Sequence, residues 1–172
     1  MSNLLWIDLE TTGLEPDQHV ILEVAAVVTT WDLEELGQYE TTIDHDPQDP
    51  RELCDPYVFK MHTNNGLFTA CAEIGIPLEN AQEELLEFLD SLDVLGSPCA
   101  GSTPQFDRSF LREYMPLVDK VFNHRVLDVS TMKAWQAAHG VEFPKFPSTH
   151  RAMPDIHGSI KLLRFMRGQA IR

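Results

Sequence analysis

Apolar residues fill the first third of the chain in short runs that are typical of β-strands. The runs at 4–10 and 20–30 are rich in leucine, isoleucine and valine, which predicts a strand in each. A turn near 31–35 leads to a third predicted strand at 36–43. Because tight turns join neighbouring antiparallel strands, this part of the chain is predicted to form an antiparallel meander.

Beyond a polar, proline-containing loop predicted at 45–56, the pattern changes to helices that alternate with short strands. In a predicted helix at 78–92, Leu85 and Leu89 lie on one stripe and acidic residues cover the opposite side. The other predicted elements are a strand at 94–101, a helix at 104–114, a strand at 126–129, a helix at 130–139, a proline-rich loop at 143–150 and a helix from about 154 to 167. This order predicts an α/β fold, a mixed sheet made of an antiparallel three-strand meander plus parallel strands and flanked by helices.

The length of 172 residues, without a linker or a repeat, predicts a single domain over residues 1–172. We expect no membrane partner, because no apolar run is long enough to cross a bilayer and no signal peptide pattern opens the chain. The three cysteines, Cys54, Cys71 and Cys99, show no metal-ligand spacing. Reduced thiols and a cytoplasmic location are therefore expected.

The formal net charge of −14 limits the kind of partner that the protein can bind. Such a charge argues against an extended basic groove that grips long nucleic acid through many phosphates. It leaves room for a short nucleic-acid ligand in a pocket. A cluster of acids also favours divalent metal ions, which then supply positive charge to the site.

Two acids, Asp8 and Glu10, interrupt the first predicted strand. Side chains alternate along a strand, so both carboxylates point to one face while Ile7 and Leu9 point to the other. Carboxylates this close repel each other unless a cation lies between them. The alternative is an ordinary solvated strand face. A turn with Gly13 follows at once, and glycine permits close approach of the backbone to a ligand.

Three further residues are candidates for the same site, although each also has a structural interpretation. Asp107 and Asp155 fall in the first turns of predicted helices, where an acid is favoured by the helix dipole alone. His150 lies in the loop before the last helix, where most histidines are simply exposed. Tyr114 lies seven residues after Asp107 and therefore on the same helical face.

Taken together, these residues are more informative than any one of them. The segments DLETTGL, GSTPQFDRSFL and HRAMPD resemble the three exonuclease motifs of the DEDD superfamily, in its histidine-containing branch. The segments NLLWIDLETTGL, MHTNNGL, REYMP, HRVLDVSTMK and STHRAMPDI extend the resemblance to the oligoribonuclease family, in that family's order, from Asn3 to about Met166.

The resemblance implies a ribonuclease H-like fold, a homodimer, and 3′→5′ hydrolysis of very short RNA to 5′-mononucleotides. It implies that two divalent cations, Mg²⁺ or Mn²⁺, bind to the four acids, and that His150 is the general base. The residue types agree, because hard oxygen ligands without cysteine suit these ions. A histidine with an ordinary pKa near 6.5 can accept a proton from water at neutral pH.

The resemblance also assigns substrate-binding residues. Leu14 is expected to wedge between the last two bases, Tyr57 and His62 to stack on bases, and Tyr114 to lie near the scissile phosphate. Three further residues are expected to form a cap on the 5′ phosphate, partly across the dimer: Thr103, Arg125 and Ser130. The alternatives are that Leu14 and Tyr57 only pack in the core, and that Thr103 only caps its helix.

The chain departs from the family pattern at several positions. Tyr57 stands where the family commonly has tryptophan and Thr103 where it has serine, while Thr11 replaces methionine and Pro154 replaces aspartate. No catalytic group is lost, but Thr11 makes the first motif look more like that of general DEDD exonucleases. The alternative function is therefore a broader 3′→5′ exonuclease of the histidine-containing branch that acts on single-stranded DNA or longer RNA.

Overall fold

The computed structural model describes residues 3–46, 48–146 and 148–169. Its centre is a five-stranded sheet in the order β3-β2-β1-β4-β5. The strands are β1 (Leu4–Thr11), β2 (Ile21–Thr29), β3 (Glu35–Thr42), β4 (Ser97–Gly101) and β5 (Phe122–Asp128). The first three strands pair antiparallel, and β4 and β5 continue the sheet in parallel with β1. The predicted mixed sheet of a meander plus parallel strands is confirmed.

Helices pack on the sheet, and loops and turns connect these elements. They are α1 (Pro56–Asn64), α2 (Leu67–Ile74), α3 (Leu78–Ser91), α4 (Pro104–Tyr114), α5 (Pro116–Asp119), α6 (Val129–Ala138) and α7 (Ala152–Gln169). A short 3₁₀ helix spans Pro50–Leu53. Among the helices of the described residues, none combines the length and the apolar character that crossing a membrane requires.

Two hydrophobic layers, one on each face of the sheet, fix the direction of the β1 side chains. Leu5, Ile7 and Leu9 belong to the layer that contains the buried leucines of α3 and Phe110 of α4. Trp6 belongs to the opposite layer with the inner residues of α7, and its indole N–H donates to Thr29 Oγ1 at 2.9 Å. Asp8 and Glu10 therefore point to the α7 face of the sheet, as the alternation predicted.

Helices α1 and α2 follow the loop predicted at 45–56. The sequence pattern had predicted no helix at these positions. Only His62 is buried in α1, and only Leu67 and Cys71 are buried in α2, so neither helix carries a continuous apolar stripe. Short helices of this kind depend on tertiary contacts rather than on their own pattern. Pro47 and Pro147, in the two predicted loops, lie outside the described residues.

Helix α7 begins at Ala152, two residues before the predicted start at Pro154. Proline is tolerated here because the N–H groups of a first helical turn have no partner inside the helix. The N–H of Ala152 instead donates to the Glu23 carboxylate in β2, at 2.8 Å. The start of α7 is thus set by a contact with the sheet that lies 129 residues away in the sequence.

Candidate active site

The acids from the first motif lie at the carboxyl end of β1, beside the start of α4. Asp107, in the first turns of α4, accepts a hydrogen bond from the backbone N–H of Leu9 at 2.9 Å. This bond joins α4 to the strand between Asp8 and Glu10. Glu10 and Asp107 are 8% and 3% exposed, so both carboxylates are largely withdrawn from water. Three acids that are separate in the sequence therefore occupy one corner of the fold.

His150 and Asp155 approach the same corner from the loop before α7 and from the first turns of α7. Asp155 accepts hydrogen bonds from the hydroxyl of Ser148 and from the N–H of Thr149, the latter at 3.0 Å. The N–H of His150 donates to Ser148 Oγ at 3.1 Å. His150 has a φ of 50°, a left-handed conformation that few residues other than glycine adopt. Contacts within the loop therefore hold these two residues.

A cavity of about 430 Å³ brings the candidate residues together. Its lining includes Asp8, Glu10, Asp107, His150, Asp155 and Ser130, together with Lys133, Phe106 and Phe146. One possible ligand atom from each of Glu10, His150 and Asp155 lies within 4.8 Å of the other two. All five residues that the sequence proposed for the chemistry thus face one space.

Burial and mutual repulsion disfavour negative charge on the acids of β1 and α4. Burial raises the pKa of Asp8 well above its ordinary value, and the charges of Asp107 and Glu10 raise it further. Burial raises the pKa of Glu10 to about 8, with a further contribution from Asp155, and it raises the pKa of Asp107 to about 7. Without a cation these groups hold protons near neutral pH, and a bound cation would allow them to ionise.

The donor set fits divalent metal ions. Asp8, Glu10, Asp107 and Asp155 offer carboxylate oxygens, which Mg²⁺ and Mn²⁺ prefer, and none of the cysteines lines the cavity. The raised pKa values also show that the acids are crowded beyond what their own hydrogen bonds compensate. The residues present are therefore suited to hold the cations that the sequence led us to expect.

The turn after β1 exposes Leu14. Leu14 is 67% exposed, and Gly13 packs so closely on the ring of His19 that a Cβ at Gly13 would lie 2.2 Å from that ring. Tyr57, on α1, is 73% exposed. The alternative that Leu14 and Tyr57 only pack in the core is therefore wrong. Both side chains are available to a ligand.

His62 and Tyr114 occupy different surroundings from those that the resemblance implied. His62 is fully buried, with Nε2 at 3.2 Å from the carbonyl oxygen of Thr11 and 3.6 Å from Glu10 Oε2. Burial lowers its pKa. Tyr114 donates its hydroxyl to the carbonyl oxygen of His19 at 2.6 Å. In this structure both residues support the segment around Leu14, and their roles toward substrate remain predictions.

The residues expected to cap the 5′ phosphate are brought together only in part. Thr103 Oγ1 lies 3.0 Å from Ser130 Oγ, and Asp128 accepts bonds from the N–H of Thr103 and from the hydroxyl of Ser130. Arg125 is exposed on β5 and does not line the cavity. Thr103 has a φ of 61° and its side chain makes no capping bond, so the alternative that it only caps α4 is wrong.

Sequence reasoning missed several residues that support the site. Glu23, Asn65, Asp128 and Arg151 each bond to a candidate residue or to its neighbour in the chain. One signal was available, because Glu23 is an acid within the otherwise apolar run ILEVAAVV. A charged residue in such a strand requires a partner when it is buried.

The mixed sheet carries an acidic cavity at the end of its central strand, and comparison with known proteins identifies the class of protein. A family model described as Exonuclease (RNase_T) matches residues 5–163. The chain is similar to oligoribonuclease from Francisella tularensis subsp. holarctica (strain OSU18), with 36% identity over 172 residues that cover 98% of this chain and 96% of the relative. It is also similar to the probable oligoribonuclease of Drosophila melanogaster, with 32% identity covering 99% of this chain and 83% of the relative.

The chain therefore belongs to the oligoribonuclease family of 3′→5′ exoribonucleases. Membership of this family and the acidic cavity indicate that the enzyme uses divalent metal. Solved structures with a similar fold include the zinc-bound form of the E. coli ExoI–ssDNA complex and Exonuclease I from Methylocaldum szegediense, each with a TM-score of 0.70. They are 18% and 19% identical, and this chain spans 42% and 41% of their lengths. The predicted family, fold class and enzyme activity are confirmed.

Proposed function

We propose that this exoribonuclease acts on very short RNA, dinucleotides above all, and releases 5′-mononucleotides. The observation that carries the proposal is the single cavity of about 430 Å³ in which four acids and His150 meet. Two further facts support a short substrate. The relatives named oligoribonuclease match nearly the whole chain, and the net charge of −14 disfavours a long phosphate backbone.

The four acids Asp8, Glu10, Asp107 and Asp155 hold two divalent cations, Mg²⁺ or Mn²⁺, in this proposal. When bound, such a pair of cations stabilises the attacking and the leaving oxygen of an in-line displacement at phosphorus. His150 accepts the proton of the attacking water, since imidazole is the side chain that most often acts as a general base. Leu14 and Tyr57 contact the bases, and stacking of a base on an aromatic ring such as that of Tyr57 tolerates any sequence.

The proposal includes a homodimer in which Arg125 of one subunit completes the phosphate cap of the other. Arg125 is exposed on β5 and cannot line the cavity of its own subunit in the described arrangement. Apolar side chains on the neighbouring helix α6 are also exposed, namely Met132 and Trp135. Sedimentation equilibrium of the protein and of Arg125→Ala tests this assembly. A monomer with full activity on dinucleotides would contradict it.

The three free cysteines support a reducing, cytoplasmic setting.

The experiment is a rate comparison on labelled RNA and DNA from two to twenty nucleotides, with Mg²⁺ and with Mn²⁺. We expect kcat/KM to be highest for the RNA dinucleotide and to fall as the chain lengthens. Much faster cleavage of the 20-mer would support the broader exonuclease instead. Thr103→Ala tests the cap in the same experiment. Loss of this cap residue should lower the preference for dinucleotides, while every carboxylate of the cavity remains.

A further inference from the structure

Glu23 is a fully buried carboxylate that no step of the chemistry uses. It lies in β2 directly opposite Glu10, so both side chains point to the same face of the sheet. A buried carboxylate beside another acid is unfavourable unless hydrogen bonds and a positive charge compensate it. The groups that compensate Glu23 therefore indicate what its position achieves.

Those groups belong to the two residues that directly follow His150. Arg151 Nε donates to Glu23 Oε1 at 2.9 Å, and a second guanidinium nitrogen contacts the same carboxylate. The N–H of Ala152 donates to Glu23 Oε2 at 2.8 Å. Both carboxylate oxygens are thus bonded to one short stretch of backbone and side chain. A forked contact of this kind fixes orientation as well as distance.

A second contact holds the carbonyl group of His150 itself. Asn65 Nδ2 donates to the His150 carbonyl oxygen, and Asn65 Oδ1 accepts from the N–H of Leu67 at 3.1 Å. His150 has a left-handed backbone, which is kept only where its surroundings determine it. The peptide that follows His150 is therefore held between the turn joining α1 to α2 and the buried acid of β2.

We propose that Glu23 and Arg151, the anchor pair, are positioning residues that set His150 over the catalytic cavity. The anchor pair ties the loop before α7 to the strand next to β1, so the distance from His150 to the acids of β1 follows from sheet register. Arg151 also places a positive charge beside two adjacent acids, Glu10 and Glu23. The inference rests on the proposed role of His150 as general base.

The test compares Arg151→Gln and Arg151→Lys with Arg167→Gln. Arg167 lies on α7 and pairs with Asp32 at 3.3 Å on the exposed surface, so it controls for loss of an ion pair. For Arg151→Gln we expect kcat on a dinucleotide to fall by about 10- to 100-fold with KM changed little, because a small displacement of a base reduces its efficiency. Arg151→Lys keeps the charge and is expected to recover part of kcat, whereas Arg167→Gln leaves kcat unchanged.

Hydrogen exchange gives a readout that does not depend on catalysis. In Arg151→Gln the amide of Ala152 is expected to exchange faster, while amides in the middle of β1 keep their protection. Unchanged kcat, or unchanged exchange at Ala152, would overturn the proposal. If Arg151→Gln fails to fold, Arg151→Lys decides by the same two measurements, since loss of the fork alone is then expected to lower kcat and to speed exchange.

The same set of variants separates this inference from the proposed function. Near-normal turnover in His150→Ala would refute the role of His150, whatever Arg151→Gln does. Large loss of activity in His150→Ala together with full activity in Arg151→Gln would refute only the anchor pair. A fall in kcat for both, with faster exchange at Ala152 in the Arg151 variant, supports both.

Discussion

Two sides of the active cavity are held by different kinds of contact. The strand side consists of Asp8, Glu10 and Asp107, and a backbone N–H of β1 fixes Asp107. The loop side consists of His150 and Asp155, whose contacts come from the loop itself, from Asn65 and from the residues after His150. The strand side consists of β1 and of the helix α4 that is bonded to it, whereas the loop side depends on a few side-chain bonds.

The difference separates two requirements of the reaction. The strand side concentrates negative charge in a buried place, which disfavours the metal-free fold but prepares tight cation binding. The loop side places a base there and adds a single half-buried acid, Asp155. A base on a loop can also adjust when substrate arrives, because loops tolerate small movements better than the centre of a sheet does.

The largest expected effect comes from Asp8→Asn on the strand side. We expect kcat to fall by about 1,000-fold or more, because a cation ligand is lost where charge develops in the transition state. The same change removes repulsion among buried acids. The metal-free protein should therefore melt about 3 °C or more higher at pH 8 in EDTA. Steady-state kinetics and calorimetry measure the two effects.

Asp90→Asn is the matched control, since Asp90 is an exposed acid on α3. It should change neither activity nor melting temperature. If Asp8→Asn lowered the melting temperature of the metal-free protein, the strand side would not be the site of unfavourable charge. The comparison between the two sides would then be wrong.

On the loop side, His150→Ala tests whether the general base acts independently of the cation-binding acids. We expect kcat to fall by about 100- to 10,000-fold, the usual contribution of general base catalysis. The melting temperature and Mn²⁺ affinity should change little, because the acids remain. His157→Ala, which removes a half-buried histidine of α7 that pairs with Glu35 of β3, is the control and should retain kcat. Loss of Mn²⁺ binding in His150→Ala would show that His150 itself is part of the cation site.

The two sides also differ in how far the sequence could predict them. An apolar run placed β1 and the helix-start signal Thr103–Pro104 placed α4, each within a residue or two, and alternation along β1 gave the face of Asp8 and Glu10. The contacts of the loop side could not be derived in this way, because Glu23 and Arg151 are 128 residues apart and Asn65 lies in the turn between two helices that no pattern predicted. Long-range polar contacts leave no periodic signal, and burial of His62 likewise depends on packing that local sequence does not encode.

A titration of stability tests the strand side without any substitution in the loop. The pKa of Glu10 rises from its ordinary 4.5 to about 8 on folding, and that of Asp107 from 3.8 to about 7. The folded protein therefore holds more protons at these groups than the unfolded chain, so their effect is to lower stability as pH rises from about 4 to 8. In EDTA the melting temperature should fall across this range.

Saturating Mg²⁺ should flatten that fall, because a ligand that binds only the folded state stabilises it. Buried His62 has a lowered pKa and therefore an effect of opposite sign. At pH values below its ordinary pKa, its contribution to stability increases as pH rises. Glu10→Gln isolates the contribution of this acid. His62 is present in both proteins, so its effect on stability cancels when the variant is compared with the wild type. A pH dependence that is the same in both proteins would show that Glu10 does not carry the effect.

The smallest expected effect concerns Leu14, which lies beyond the end of the strand side and contributes nothing to the charge. Because Leu14 is 67% exposed, Leu14→Ala should leave the melting temperature unchanged. Loss of its contact with the bases should raise KM for a dinucleotide about tenfold with kcat unaltered, as expected for about 1.4 kcal/mol of apolar contact. Leu95→Ala, 77% exposed and away from the cavity, should change neither value. A fall in kcat at constant KM would place Leu14 within the strand-side chemistry, because only a contact made in the transition state acts in that way.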